Sequence, residues 1–317
     1  MPTDDVVELS VCTVARGPAR LDLVVAALGE QSAGPETFEL VVVDASPDGL
    51  DLPTHPDVTV VQHRADPAAT DAALLDAAWR AAGGRSIAFL APDLVPAPLW
   101  VEAMQRQMRR GRRIVSGSWL PWTDDLPQAG TGSHQLWALD RELGTATTDQ
   151  LTCLRADLEA IGGVPALDDP DERAAELAAR LVERGADPSW ARHAVVFHPV
   201  APNPLGDTLA TRRRRTAQML ATLDDHPRAR AHLMPAGTLP HRRHVEVLAV
   251  LLALVLRRRD RRAVLLALPW IYERAFLTPR AGGARRRWLV LPGAFVVDLH
   301  DAVVSLVERW RPRQPRP

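Results

Sequence analysis

Two carboxylates stand where an α/β sheet would present them to a ligand. Asp44 closes the apolar run FELVVV at residues 38–43, and Asp93 follows SIAFL at 86–90 by three positions. Short continuous apolar runs of this kind predict strands buried on both faces. In open α/β sheets, ligands sit beyond the carboxyl ends of the strands. A carboxylate there can accept a hydrogen bond from a base or ribose hydroxyl, or hold a hard cation through oxygen. The same residue also serves as a helix N-cap or turn Asp, and pattern alone leaves both roles open.

The elements that must position these acids alternate along the chain. Residues 8–14, 38–43, 58–62 and 86–90 read as strands, and 20–31, 68–82 and 98–110 as helices. Such alternation predicts an α/β fold on an open sheet. Residues 114–150 are irregular, with Trp119, Trp122 and several Pro and Gly, and read as a β-hairpin and loop over a site. A short helix at 157–161 meets Gly162-Gly163, a C-cap. Pro170 and its acidic neighbours open a helix over 170–184, and Gly185 follows it. A last strand is expected at 194–197, directly before His198, and another helix at 207–223.

Composition sets outer bounds. The chain has 317 residues, 46% of them hydrophobic, enough for a large α/β domain with an appendage. The net charge of -1 hides a split. From His241 onward 16 Arg stand against 6 acidic residues, a balance of +10, which leaves −11 for the rest. That opposition points to an anionic partner for the tail, or to a solvated helical face paired with an acidic body. Every basic residue is Arg and none is Lys, so a Lys-type base is excluded. Cys12 and Cys153 show no metal or redox spacing and read as reduced, buried small residues. The first eight residues lack a basic and an apolar region, so no signal peptide is expected. No apolar stretch is long enough to span a bilayer, and a cytoplasmic location is the expectation.

Five segments in order carry a family resemblance. SVCTV at 10–14, then VVVDASPD at 41–48, GRSIAFLAPDLVP at 84–96, LRADLEAIGG at 154–163, and a helix to Gly185 followed by AVVFH at 194–198 resemble the family 2 glycosyltransferases. The resemblance covers residues 9–199 and implies a GT-A-type, mainly parallel sheet with helices on both faces. It implies that Val14 and Asp44 hold the base and ribose of a nucleotide-diphosphate sugar, with Arg16 near phosphate. It implies that Asp93 and His198 hold a divalent metal, Mg or Mn. A cation of that kind neutralises the diphosphate and stabilises the leaving nucleotide. The activity implied is inverting transfer of a sugar to a hydroxyl on a sugar or lipid-linked acceptor, in cell-envelope or polysaccharide synthesis.

The chain departs from the family at three places. Ala91 and Pro92 stand where two further acids are usual, which leaves one carboxylate in the metal motif. Arg173 and Ala174 stand at the family's E-D pair, which supplies the general base, and neither abstracts a proton at neutral pH. The acids just upstream are Asp168, Asp169, Asp171 and Glu172; Asp171 and Glu172 are the expected replacements, Glu172 first for its longer arm. Acids decorating a helix N-terminus are the alternative. The family's A-R-N-x-G segment before the fourth strand is also absent. These losses keep a second reading open, a GT-A domain that binds a nucleotide sugar or partner without transfer. A dinucleotide oxidoreductase is disfavoured, because Arg16-Gly17-Pro18 replaces any G-x-G-x-x-G.

The domain reading is 1–205 for the nucleotide-sugar domain, 206–240 for a connecting helix and linker, and 241–317 for a basic amphipathic helical tail. The run VEVLAVLLALVL at 245–256 is bounded by Arg on both sides, and Trp288 begins another helical pattern. Apolar helices flanked by Arg and Trp fit an anionic membrane surface at the inner face of the plasma membrane. The alternative is a helical subdomain. Nucleic acid is not an expected partner, because aromatic residues do not alternate with the Arg.

Overall fold

All seven residues of β2 (Phe38–Asp44) are buried. A strand with both parities buried is covered on both faces, so β2 lies inside a sheet. The computed structural model describes residues 7–17, 20–121, 150–199, 205–233, 242–272 and 283–310. The chain divides into two compact units; among the described residues the first holds 7–17, 20–120 and 150–199, and the second 205–233, 242–272 and 283–310.

The first unit is the sheet and its helices. In chain order they are β1 (Leu9–Ala15), α1 (Leu21–Gly29), β2, β3 (Val60–Arg64), α2 (Asp71–Ala81), β4 (Ser86–Leu90), β5 (Val95–Pro96), α3 (Trp100–Arg109), β6 (Ile114–Pro121), β7 (Gln150–Leu154), α4 (Arg155–Ile161), α5 (Pro170–Glu183) and β8 (Pro188–His198). The strand order is β3-β2-β1-β4-β7-β6-β8-β5. The first four strands are parallel, while β7 is antiparallel to β4 and to β6, and β5 to β8. The sheet is therefore mixed, parallel on the expected half and antiparallel beyond. Because β1 pairs with both β2 and β4, strand order reverses there, the place beyond whose carboxyl ends open α/β sheets take ligands.

Each helix has a local cause. Thr70 caps α2 by accepting from the Ala73 N–H, and α2 buries Leu74, Ala78 and Trp79 against β1 and β2. Asp169 caps α5 and Pro170 fills its first turn. Helix α4 ends at Gly162, whose φ of 83° is the left-handed cap expected there. The third strand starts two residues later than 58–62, since Val58 is drawn into a bridge with His55. Strands β6 and β7 pair at the two ends of the irregular stretch, and the loop expected between them, 122–149, lies outside the described residues. The expected strand at 194–197 is the end of an eleven-residue strand.

Polar staples hold the opposite end of the sheet. Ser10 Oγ donates to buried Glu39 Oε1 at 2.6 Å, and the Gly83 N–H donates to the same oxygen at 2.6 Å. The Gly84 N–H donates to Ser10 Oγ at 2.7 Å. Arg155 turns its guanidinium onto the carbonyls of Gly84, Trp79 and Ala82, closing the C-terminus of α2. Arg113 grips Asp157 with two nitrogens. Both cysteines are buried and free, and burial pushes their thiols far up, so they are inert packing residues.

The second unit is helical: α6 (Leu205–Asp225), α7 (Pro227–Leu233), α8 (Arg242–Leu256), α9 (Leu268–Tyr272) and α10 (Gly283–Trp310). Its core joins Val247, Trp270, Ala294 and Ala302, and the Trp270 indole donates to buried Asp298 at 2.9 Å. Arg212 of α6 forks onto Asp301 of α10 at 2.8 and 2.6 Å, so the helix at 205–225 groups with the tail helices. No described helix is long and apolar enough to cross a membrane.

The approach of the α2–β4 turn to β1 yields a stability test. A Cβ on Gly84 would stand 2.6 Å from the Ser10 nitrogen and 3.0 Å from the Leu9 carbonyl carbon, both backbone atoms. Gly84→Ala is expected to lose about 2–3 kcal/mol in urea unfolding. Gly17→Ala, which meets nothing within 4 Å, is expected to stay within about 0.5 kcal/mol of wild type.

Candidate nucleotide-sugar site

The site is built from the last residues of parallel strands. Val14 pairs with Val43 and Ala15 with Asp44, so the ends of β1 and β2 lie side by side. Val14 is half-buried, unlike its fully buried strand neighbours. Strand β4 runs parallel beside β1, and Asp93 sits in the exposed turn after it. The parallel pairing thus brings Val14, Asp44 and Asp93 to one end of the sheet. Val95 pairs with Phe197 and Pro96 with Val196, antiparallel. Asp93 and His198 therefore lie just past the same end of one short ladder.

Asp44 is the most constrained of these groups. Its side chain is 1% exposed. Oδ1 accepts from the Ser46 N–H at 2.9 Å and the Ser46 hydroxyl at 2.6 Å. Oδ2 accepts from the Leu50 N–H at 2.8 Å, Gln62 Nε2 at 3.3 Å and Arg64 Nη1 at 2.7 Å. Burial alone would raise its pKa, but the bonds from Ser46, Leu50 and Arg64 outweigh it and hold the carboxyl well below the usual range. Asp44 therefore stays ionised with both oxygens engaged. A ribose hydroxyl that reaches it joins or displaces these donors.

Arg64 and Gln62 were not singled out by sequence reasoning. Residues two apart on a strand share a face, and Val42 pairs with Gln62 as Asp44 pairs with Arg64. That period-two polar pair at the end of a predicted strand was the available signal. Arg64 also donates to the Pro47 carbonyl at 2.8 Å, which fixes the loop after β2.

Arg16 is committed locally. It donates to Asp71 Oδ1 at 3.0 and 2.7 Å, to the Pro67 carbonyl at 2.8 Å and to the Ala69 carbonyl at 2.7 Å. A phosphate there would compete with the start of α2. His198 is buried, with Nδ1 3.0 Å from the Pro199 carbonyl and its ring edge-on to Trp119 at 5.8 Å. A carbonyl only accepts, so Nδ1 carries the proton and Nε2 is the basic nitrogen.

Asp171 and Glu172 occupy the first turn of α5, both half-buried. Their N–H groups donate to Asp169 Oδ1 at 2.9 and 3.0 Å, so Asp169 is spent as the cap. Arg173 and Ala174 are buried, and Arg173 donates to the Leu167 carbonyl at 2.8 Å. Among the described residues the Glu172 carboxylate accepts no hydrogen bond.

The donor set tests a metal. Among the described residues no group of three or more His, Cys, Asp or Glu converges on a point. One carboxylate and one imidazole at a common sheet end fit an open site completed by phosphate oxygens and water. They do not fit an all-protein cage.

No protein-family model matches the chain, and no curated protein matches it. Solved structures do. A mannosyltransferase from Pyrobaculum calidifontis, PcManGT in complex with GDP-Man and Mn2+, aligns with a TM-score of 0.56 at 19% identity, over 96% of this chain and 87% of that one. The S. aureus TarS 1-349 structure aligns at 0.48 and 13% identity, over 92% and 90%. The chain has the fold of a GT-A-type glycosyltransferase.

Asp44 gives a pH-linked prediction. Its folded pKa lies below its unfolded value, so the stability it adds is complete above the unfolded pKa of about 4 and is lost as pH falls through the folded one. Asp44→Asn is expected to cost about 3 kcal/mol at neutral pH. Denaturant titrations across pH should show the gap to wild type narrowing only below about pH 4. Arg64→Ala should cost less, about 1 kcal/mol, because its side chain is 46% exposed.

Proposed function

We propose that this chain is a family 2 glycosyltransferase that moves a sugar from a nucleotide-diphosphate donor to a hydroxyl acceptor. One observation carries the reading: Val14, Asp44, Asp93 and His198 gather at the carboxyl end of a GT-A-type sheet. Nucleotide sugars in that position meet a floor of strand ends, and the mannosyltransferase that shares the fold holds GDP-Man and Mn2+. In this reading Val14 and the ionised Asp44 bind the nucleoside half of the donor. Asp93 and His198 hold a divalent cation against the diphosphate, where it would neutralise charge on the leaving nucleotide.

Transfer needs a base at the acceptor hydroxyl. Glu172 is assigned that role. It is half-buried in the first turn of α5, and among the described residues its carboxylate accepts no hydrogen bond. A single displacement at the anomeric carbon inverts its configuration. The acceptor is a sugar or lipid-linked sugar of cell-envelope or polysaccharide synthesis, met by a protein working at the inner face of the plasma membrane.

The second reading is a domain that binds a nucleotide sugar without transfer. Buried Arg173 and Ala174 at the usual base positions, and the lone carboxylate of the metal motif, favour it.

Titration of GDP-mannose and of UDP-GlcNAc, with and without Mn2+, decides whether the site works. Binding of one donor, strengthened by Mn2+, is expected, and Asp93→Ala should remove the Mn2+ dependence. Absence of binding to any nucleotide diphosphate would sink both readings. Glu172→Gln should keep donor affinity and lower transfer by about 10²–10⁴-fold. Transfer unchanged in both Glu172→Gln and Asp171→Asn would remove the base assignment. A wild type that binds donor and never turns over would select the second reading.

A further inference from the structure

The helical unit shows solvent a surface that a solvated face would not carry. At the end of α8, Leu252, Leu254 and Val255 are exposed. The 3-10 helix Arg261–Ala267 and α9 continue the exposure through Val264, Leu265, Leu266, Leu268 and Tyr272, with Leu265 at 59% and Val264 at 56%. Between these two apolar groups stand Arg257, Arg258, Arg259, Arg261 and Arg262, all exposed. None of the five forms an ion pair among the described residues. The one acid among them, Asp260, accepts from the Arg262 N–H as the cap of the 3-10 helix. Residues 252–272 thus place exposed aliphatic side chains and uncompensated guanidinium groups on one continuous segment.

We propose that residues 252–272 form an insertion edge that seats on an anionic lipid surface. Aliphatic side chains enter the acyl boundary while flanking guanidinium groups remain at the lipid phosphates, the division an interface helix requires. Each near-surface Arg adds about 1 kcal/mol of attraction to an anionic leaflet. A second copy of the chain is a poorer occupant. Two-fold pairing of this segment would bring five unpaired cations of each copy together, and like charges oppose that. Nucleic acid is poorer still, because the exposed side chains beside the Arg are aliphatic apart from Tyr272, while Trp270 is buried. The proposal stands independently of sugar transfer, since no donor or acceptor enters it.

Flotation of the full chain with phosphatidylcholine vesicles, and with vesicles that add phosphatidylglycerol, tests it. Binding to the phosphatidylglycerol vesicles alone is expected, falling with added salt. The R257Q/R258Q/R259Q triple variant should lose affinity by about a hundredfold, and the matching Lys triple should keep it. V264S/L265S should weaken binding several-fold with unchanged thermal melting, because both side chains are already in solvent. Equal binding to both vesicle types, binding to neither, or capture by RNA in place of vesicles overturns the proposal. So does concentration-dependent self-association that V264S/L265S abolishes without any vesicle binding.

Discussion

A negative charge sits at the end of β2 where almost no water reaches it. Five donors from four residues gather on Asp44, and they come from three pieces of chain: the loop after β2, the turn at Leu50 and the edge strand β3. A buried carboxylate with one unpaired oxygen would be costly, whereas one with both oxygens satisfied fixes everything that touches it. The loop that would meet a nucleoside therefore owes its shape to Asp44. The group proposed to meet a nucleoside is also the group that shapes the loop beside it.

Buried polar groups act in the same way across the first unit. Glu39 and Ser10 tie β1 and β2 to the turn before β4. Arg155 spends its donors on backbone carbonyls at the end of α2 rather than on a carboxylate. Arg113 and Asp157 join the segment entering β6 to α4. These groups sit at the ends of elements, where backbone donors and acceptors leave the ladder and must find partners.

The parallel half of the fold was legible because its strands are buried on both faces and read as unbroken apolar runs. Strand β4 was placed to the residue at 86–90. Strand β7, QLTCL, escaped notice because polar Gln150 and Thr152 break the run, although both are buried. Strand β8 was seen only at its end. Its first half, PSWARH, mixes charge with Trp and exposes Arg192 and His193, so only the apolar finish looked like a strand. For the site, the acids at strand ends were visible in the pattern. Their partners were not, because Arg64 and Gln62 reach Asp44 through strand register, which no local window contains. Asp169 illustrates the converse. It read as a candidate acid, and it is consumed by capping α5.

The two edges of the sheet differ from its centre in a way that bears on how the protein behaves when crowded. The outer strand on one side is β3, five residues long and ending in Gln62, His63 and Arg64, all exposed. The outer strand on the other is β5, two residues long, one of them Pro96, which has no N–H to offer. Long, flat, apolar edges recruit strands from neighbouring molecules; short edges bearing charge or proline do not. The sheet consequently ends in itself on both sides. Neither edge offers copies of this unit a long apolar template to extend sideways, even though its central strands are among the most apolar segments of the chain.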